Sequence, residues 1–181
     1  VNARKIYENQ LNSLIGSISH AAGYFHLDIT DDKILKTGGT SAIVDILESD
    51  CTIDAFVRDT VQYIPKEQDR QDFIDAFCRN SMLENYNAGQ VEITRISRCY
   101  YDDNIARISK YVVRLLINPS NNHLEGLLYG VDITRSQEEY ETQVSIVRTL
   151  SSNYRDVYLL NLREKTLSII KEEEGNEDGL K

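Results

Sequence analysis

The sequence predicts an α+β fold: a five-stranded antiparallel sheet flanked by short helices, with a linker helix at each end. Three observations support this fold class. Apolar side chains recur every three to four residues near both ends of the chain. Between them, five segments alternate apolar and polar residues in the way of half-buried strands. Clusters of Asp, Asn, Gly and Pro separate these segments, and the 181 residues are enough for one good-sized core with extensions.

Composition argues against several classes of function. The formal net charge is -9, and Lys and Arg are scattered among carboxylates, so neither nucleic-acid binding nor membrane-surface binding is expected. Three widely spaced cysteines indicate a reducing compartment rather than a disulfide framework. No apolar run approaches the roughly 18 residues of a membrane span, and the polar start after Val1 has no signal-peptide pattern. These features predict a cytoplasmic protein, and the missing initiator Met suggests either an excised fragment of a larger protein or N-terminal processing.

The start of the chain predicts a helix followed by a β-hairpin. A helix over residues 4–19 is indicated by an apolar seam at Tyr7, Leu11, Leu14 and Ile18. Strands over 24–29 and 33–37 flank a polar turn at Asp31 and Asp32. The pair Gly38-Gly39 is expected to end the second strand as a turn.

Several helices are expected next. Short helices are predicted near 41–48 and 52–62, the second capped by Thr52, with Asp54 placed favourably against the helix dipole. Pro65 is expected at the first position of a longer helix that ends by Gly89. One side of that helix carries Phe73, Ile74, Phe77, Cys78 and Met82.

Three strands and a helix complete the predicted domain. The strands span 90–100, 106–117 and 124–133, separated by polar turns at 102–104 and 119–122. A helix over 135–153 follows a capping-box pattern from Thr134 to Gln137. Its apolar seam predicts pairing with another helix through Tyr140, Val144, Val147, Ser151 and Tyr154.

An internal echo suggests the domain organisation. Residues 7–11 and 140–144 share the pattern Tyr-Glu-x-Gln-apolar, and the offset of 133 residues keeps apolar positions matched for about 28 positions. We therefore expect an N-terminal linker helix over 1–18, a complete domain over 19–134, a linker helix over 135–153, and over 154–181 the start of a truncated second unit with an acidic tail. The second hairpin is expected to borrow a sheet edge, either from the sheet of the same chain or from a neighbour, because an isolated hairpin is marginal in water.

Three stretches in this order resemble a known family. They are Pro65–Arg70 before the long helix, Asn85–Ile93 leading into the third strand, and Val131–Thr134 closing the last strand. Together they are similar to the PAS domains found in tandem in bacterial diguanylate cyclases and sensor histidine kinases. The chain departs from that pattern in having no Trp, which that group often carries in its fourth strand. It also lacks the Gly-x-Asn-Cys-Arg segment of flavin-type light sensors.

The resemblance implies a non-catalytic sensory or relay domain of a multidomain signalling protein. It implies that Asp132 accepts hydrogen bonds tying the sheet to the linker helix and that Thr134 caps that helix. It further implies a homodimer through the linker helices and a covalently linked effector domain outside these residues. A ligand-free protein-interaction scaffold is the alternative. No nucleophile elbow or phosphate loop indicates an enzyme.

The remaining candidate site is the space between helices and sheet. Six side chains are expected to converge there, as pocket walls or as a closed core, which look alike in sequence: Phe56, Tyr63, Phe73, Phe77, Tyr111 and Val113. No cofactor is required, and a small-molecule ligand stays open. The histidines His20, His26 and His123 lie in unrelated elements without zinc-ligand spacing, so no metal site is predicted, although sequence alone leaves them open as haem ligands.

Overall fold

The computed structural model describes residues 2–18, 21–39, 51–100, 105–150, 156–162 and 165–172. The helices are α1 (Asn2–Ser17), α2 (Ile53–Thr60), α3 (Glu67–Phe77), α4 (Arg79–Asn87) and α5 (Thr134–Leu150), and a 3₁₀ turn, Val61–Tyr63, follows α2. The strands are β1 (Ala21–Asp28), β2 (Lys33–Gly39), β3 (Glu92–Tyr100), β4 (Ala106–Ile117), β5 (Leu124–Asp132), β6 (Asp156–Asn161) and β7 (Thr166–Glu172). None of the described helices is long and apolar enough to span a membrane.

The chain divides into two compact units, Val1–Thr134 and Arg135–Lys181. In the first unit, five strands form one sheet in the order β2-β1-β5-β4-β3, and every neighbouring pair is antiparallel. This sheet with its flanking helices confirms the predicted α+β, PAS-like fold class. In the second unit, β6 and β7 form a separate two-stranded antiparallel sheet. Among the described residues this hairpin is a sheet of its own, and the borrowing of an edge, from the same chain's sheet or from a neighbour, stays a prediction.

The core of the first unit lies between one face of its sheet and helices α2 to α4. Strand alternation directs Phe25, Leu27 and Ile29 to this face, where they are buried with Phe56 of α2 and Phe77 of α3. The amphipathic pattern of α2 explains its position, because its apolar stripe is the side that is buried. Burial of these large side chains supplies the main stabilisation of the unit.

The opposite face of the sheet carries α1. Glu125 of β5 points to this face because its neighbours Leu124 and Gly126 face the core. The hydroxyl group of Tyr7, in α1, donates a hydrogen bond to the Glu125 carboxylate. The predicted seam of α1 is thus confirmed at its most buried member, Tyr7.

The turn expected at Gly38-Gly39 and the helix start expected at Pro65 are both wrong. Gly38 and Gly39 are the last two residues of β2 rather than a turn after it, and they pair with Tyr24 and Gly23 of β1. Gly39 has φ +122°, a conformation that glycine adopts without strain. Pro65 lies before Lys66, the N-cap of α3, and so does not open the helix.

The single long helix predicted after Pro65 is two helices. Cys78 interrupts it with an extended backbone (φ -64°, ψ 151°) between α3 and α4. The N–H group of Arg79 donates to Asp54 Oδ1 at 2.8 Å, so a carboxylate of α2 satisfies the first amide of α4. The Arg79 guanidinium also donates to the carbonyl oxygen of Ile29 at 2.7 Å. These long-range contacts compensate for the helical hydrogen bonds lost at the break.

Three local expectations can be compared directly. The cap at Thr52 is confirmed, since its hydroxyl oxygen accepts from the N–H of Ala55 at 3.2 Å. The predicted strand over 106–117 has the same bounds as β4. The helix expected near 41–48 and the turn at 102–104 lie outside the described residues.

Candidate functional site

The candidate site is the junction at which β5 ends and α5 begins. Asp132 Oδ1 accepts hydrogen bonds from both the N–H group and the hydroxyl group of Thr134, at 2.9 and 2.6 Å. The Thr134 hydroxyl oxygen in turn accepts from the N–H group of Ile108, in β4, at 2.8 Å. The N–H group of Ile133 donates to the Ile108 carbonyl oxygen at 2.8 Å, and Arg107 Nε lies 3.4 Å from Asp132 Oδ2. Two strands and the first helical residue therefore share one hydrogen-bonded network.

The capping oxygen of this network differs from the predicted one. Asp132, not Thr134, accepts the hydrogen bond from the backbone amide at the start of α5. The Thr134 hydroxyl group is engaged with β4 and Asp132 instead. Gln137, expected to reach back toward Thr134, donates to Glu141 Oε1 at 3.0 Å. The predicted capping box is wrong in this detail because the Thr134 oxygen satisfies a sheet amide that local sequence does not reveal.

Five of the six predicted pocket residues lie together in the core. Phe56, Phe73, Phe77, Tyr111 and Val113 are all buried there. The ring centroid of Phe73 lies 4.7 Å from that of Phe77 and 5.0 Å from that of Tyr111. The contact with Tyr111 is edge-on. Such contacts fill the space between helices and sheet with protein side chains. Tyr63 lies in the 3₁₀ turn, half-buried and outside this cluster.

The predicted helix seam lies on one face of α5. Tyr140, Val144 and Val147 are spaced by four and three residues, which brings them to the same side of a helix. Val144 and Val147 are half-buried, whereas the side chain of Tyr140 is exposed. The seam residues Ser151 and Tyr154 lie outside the described residues.

A buried polar cluster that sequence reasoning missed surrounds Glu125. Its side chain is only 2% exposed, and it receives the Tyr7 hydroxyl group on Oε2. His26 Nε2 lies 2.6 Å from the same oxygen, and Asn118 Nδ2 donates to Oε1 at 2.7 Å. Burial and the neighbouring carboxylate raise the pKa of Tyr7 well above its usual value, so the phenol stays protonated as the donor. The sequence signal for this cluster is the carboxylate of Glu125 between Leu124 and the mostly apolar residues that follow it in β5.

A second polar cluster joins the β1–β2 turn to the start of β5. His123 Nδ1 lies 2.8 Å from Asp28 Oδ2, and Asp28 Oδ1 accepts from the N–H group of Asp31 at 2.9 Å. The hydrogen bond to Asp28 raises the pKa of His123 above its usual value. Asp28, Asp31 and His123 each have one side-chain atom that could bind a metal ion, and these three atoms lie within 4.8 Å of one another. Because they already bond to each other, this arrangement is explained as a hydrogen-bonded turn. His20 lies outside the described residues.

A groove of about 490 Å³ lies on the outer face of the first unit. One wall is α1, through Gln10 and Leu14, and the other is formed by Val91 with Arg114 and Leu116 of β4. Because α1 forms one wall, a movement of α1 would change the width of the groove.

Comparison with known proteins gives fold likenesses of low identity. No protein-family model matches the sequence, and no curated protein matches it at a significant level. The N-terminal domain of a diguanylate cyclase with a PAS/PAC sensor from Marinobacter aquaeolei is 12% identical, with a TM-score of 0.40, over 64% of this chain and 97% of that one. An RNA-binding light-oxygen-voltage receptor is 14% identical, with a TM-score of 0.44, over 81% of this chain and 40% of that one.

A third solved structure is the PAS-B domain of Drosophila melanogaster Cycle with bound ethylene glycol. It is 13% identical, with a TM-score of 0.34, over 61% of this chain and 98% of that one. The three solved structures are thus PAS or light-oxygen-voltage proteins.

Proposed function

We propose that the first unit is a non-catalytic sensory or relay domain of a multidomain cytoplasmic signalling protein, such as a diguanylate cyclase or a sensor histidine kinase. The observation that carries this proposal is the junction network of Asp132, Thr134 and Ile108. Through it, the hydrogen bonds that hold the end of β5 also hold the first residue of α5. A shift of the strand therefore changes the start of the helix.

The position of β5 suits it to relay a change in the core. It pairs with β1 on one side and with β4 on the other, so it is the central strand of the sheet. Leu124 and Leu128 pack into the core, and Leu128 is four residues before Asp132. Four residues of strand span about 13 Å. A packing change at Leu128 therefore reaches the junction along a continuous strand.

The free energy of one hydrogen bond in the junction is of a suitable size for a switch between two conformations. Replacing Thr134 by Val would leave the partly buried Ile108 N–H group without its acceptor, and the cost for an unsatisfied buried group is about 1–3 kcal/mol. In a protein with two populated conformations, the free energies of the two conformations differ by a few kcal/mol. A single hydrogen bond in this network is therefore enough to shift the balance between two arrangements of the helix start.

Hydrogen exchange of the 181-residue chain tests the relay. In Thr134→Val, we expect amides at the start of α5 to exchange about tenfold faster or more, which corresponds to at least about 1.4 kcal/mol. Thr134→Ser keeps the hydroxyl group and should restore slow exchange. Thr149→Val is the matched control, because the Thr149 hydroxyl group bonds only to the Ser145 carbonyl oxygen within α5, at 2.9 Å, among the described contacts. Unchanged exchange at the start of α5 in Thr134→Val would reject the relay.

Dimerisation through α5 is the second part of the proposal. Val147→Glu places a charge in the predicted seam and should weaken a dimer about tenfold or more in sedimentation experiments. Ile146→Glu makes the same kind of change one residue away, at a side chain that is 53% exposed and off the seam. Equal effects of the two substitutions, or no effect of Val147→Glu, would exclude this seam.

A ligand-free interaction scaffold is the alternative function. The close ring contacts of Phe73 with Phe77 and Tyr111 favour it, because such contacts are typical of a close-packed core. Native mass spectrometry of the purified chain separates the two. A co-purified small molecule supports sensing, whereas a mass equal to that of the polypeptide supports the scaffold.

A further inference from the structure

The second unit repeats the beginning of the first at a constant offset. Adding 133 to the bounds of α1, β1 and β2 gives 135–150, 154–161 and 166–172. The observed elements are α5 (Thr134–Leu150), β6 (Asp156–Asn161) and β7 (Thr166–Glu172). Residues 154 and 155 lie outside the described part of the chain. A helix and two strands thus recur in the same order with almost the same bounds.

The two hairpins share most of their pairing register. Leu27 pairs with Ile34 in the first hairpin, and Leu160 pairs with Leu167 in the second, which are the same positions after the offset. Four of the six pairs of the second hairpin match in this way, and the partners of Tyr158 and Leu159 are shifted by one residue because the irregularity lies two positions earlier than in the first hairpin. Side chains two residues apart in a strand share a face, so Tyr158 and Leu160 share a face as Phe25 and Leu27 do.

The turns match in backbone conformation as well. Asp32 has φ +56° and Lys165 has φ +55°, and 32 + 133 = 165. Positive φ is uncommon for residues other than glycine, and lysine is not among the types that favour it. This agreement is independent of the apolar pattern on which the sequence echo was based.

Burial distinguishes the two copies. In the first hairpin the inner face is in the core, with exposed fractions of 7% for Phe25, 0% for Leu27 and 0% for Ile29. The equivalent positions of the second hairpin have exposed fractions of 57% for Tyr158, 57% for Leu160 and 79% for Leu162. Apolar side chains at positions that are buried in the first unit are therefore exposed to solvent in the second unit.

The first unit shows what covers such a hairpin. The edge of β1 away from β2 pairs antiparallel with β5, for example Asp28 with Glu125, and helices α2 to α4 cover the apolar face. Across the described residues, β6 pairs only with β7. The edge of β6 away from β7 is equivalent to the edge of β1 that pairs with β5. A β5-like strand would pair with β6 along that edge.

We propose that residues 135–172 are the opening of a second domain of the same fold, and that the open edge of β6 pairs with a β5-like strand later in the same polypeptide. The offset predicts where that strand lies. Since 124 + 133 = 257 and 132 + 133 = 265, it should span about positions 257–265. It should place small and apolar residues on the face that carries Tyr158, Leu160 and Leu162, as Leu124, Gly126 and Leu128 lie on the core face of β5.

The offset also predicts one specific polar contact. Tyr7 matches Tyr140, since 7 + 133 = 140, and Glu125 matches position 258. A carboxylate near position 258 would accept a hydrogen bond from the Tyr140 hydroxyl group, as Glu125 does from Tyr7. The exposed Tyr140 would then be buried.

Hydrogen exchange on two lengths of the protein tests this inference. The 181-residue chain is compared with the natural polypeptide continued to about position 267, the equivalent of Thr134. We expect β6 amides to exchange at least about 100-fold more slowly in the longer protein, as core strands do relative to open hairpins. In the longer protein, Leu160→Asp should abolish this protection. Ile96→Asp, at an equally exposed side chain of β3, should leave it unchanged.

Three results would overturn the inference. An open reading frame that ends at Lys181 would remove the proposed strand. Equally fast exchange of β6 in both lengths would show that nothing pairs with its edge. Slow, concentration-dependent exchange in the 181-residue chain would assign the edge to a second copy of the chain instead.

Discussion

Substitution of Tyr7 by Phe isolates the contact that ties α1 to the sheet. The change keeps the buried ring and removes only the hydroxyl group that donates to Glu125. Glu125 keeps His26 at 2.6 Å and Asn118 at 2.7 Å, so its carboxylate is not left without partners. The effect therefore measures one hydrogen bond to a buried carboxylate rather than the loss of the whole cluster.

The expected cost follows from the type of bond. Hydrogen bonds to charged groups contribute about 1.5–3 kcal/mol to stability. Because two partners of Glu125 remain, we expect the lower part of this range, about 1.5–2 kcal/mol. With a urea dependence of about 1–3 kcal/mol per molar, the unfolding midpoint should fall by about 1 M.

Urea unfolding followed by circular dichroism measures this change, and the repeat supplies its control. Tyr140 is the equivalent tyrosine of α5, but it is exposed, so Tyr140→Phe should change the free energy of unfolding by less than about 0.5 kcal/mol. A loss below about 0.5 kcal/mol for Tyr7→Phe would refute the reasoning. Equal losses for the two variants would refute it as well.

Three further predictions concern the core and the turn cluster. Gly126→Ala would place a Cβ atom 3.2 Å from Ile29 Cδ1 and should cost about 1–3 kcal/mol in thermal unfolding. Phe77→Ala should cost about 3–5 kcal/mol in urea unfolding, because its fully buried ring leaves a cavity. The pKa of His123 is raised by Asp28, so its stabilisation is complete below the unfolded pKa of about 6.5 and is lost as pH rises through the folded pKa. His123→Asn should remove this pH dependence of the urea midpoint.

Each of these predictions has a contrasting outcome. Gly16→Ala is the control for Gly126→Ala, because its added Cβ meets nothing within 4 Å and alanine favours the helix. Equal stability of the two variants would contradict the packing argument. A Phe77→Ala loss below about 1 kcal/mol would mean that the ring is not in a close-packed core. A pH dependence that persists in His123→Asn would assign it to another group.

Local patterns were sufficient to predict most elements of the fold. Alternation of apolar residues gave the bounds of β4, and the polar turn at Asp31 and Asp32 located the first hairpin. These features depend on side chains within a few positions of each other. Turn and periodicity rules therefore apply to them directly.

Features that depend on distant residues were not predictable in this way. The break at Cys78 is stabilised by Asp54, 25 positions from Arg79, and no helical period reveals that contact. In the candidate site, the pair Asp132 and Thr134 could be found from the sequence. Ile108, which completes the network, could not, because it enters through strand pairing. The buried cluster at Glu125 joins three elements for the same reason.

Both helices that bound the first unit are tied to the same strand. Tyr7 of α1 bonds to Glu125 near the start of β5, and Thr134 of α5 bonds to Asp132 at its end. Seven residues of strand, about 23 Å, separate these two attachment points. A displacement of β5 along its length would therefore move the attachment points of both helices together.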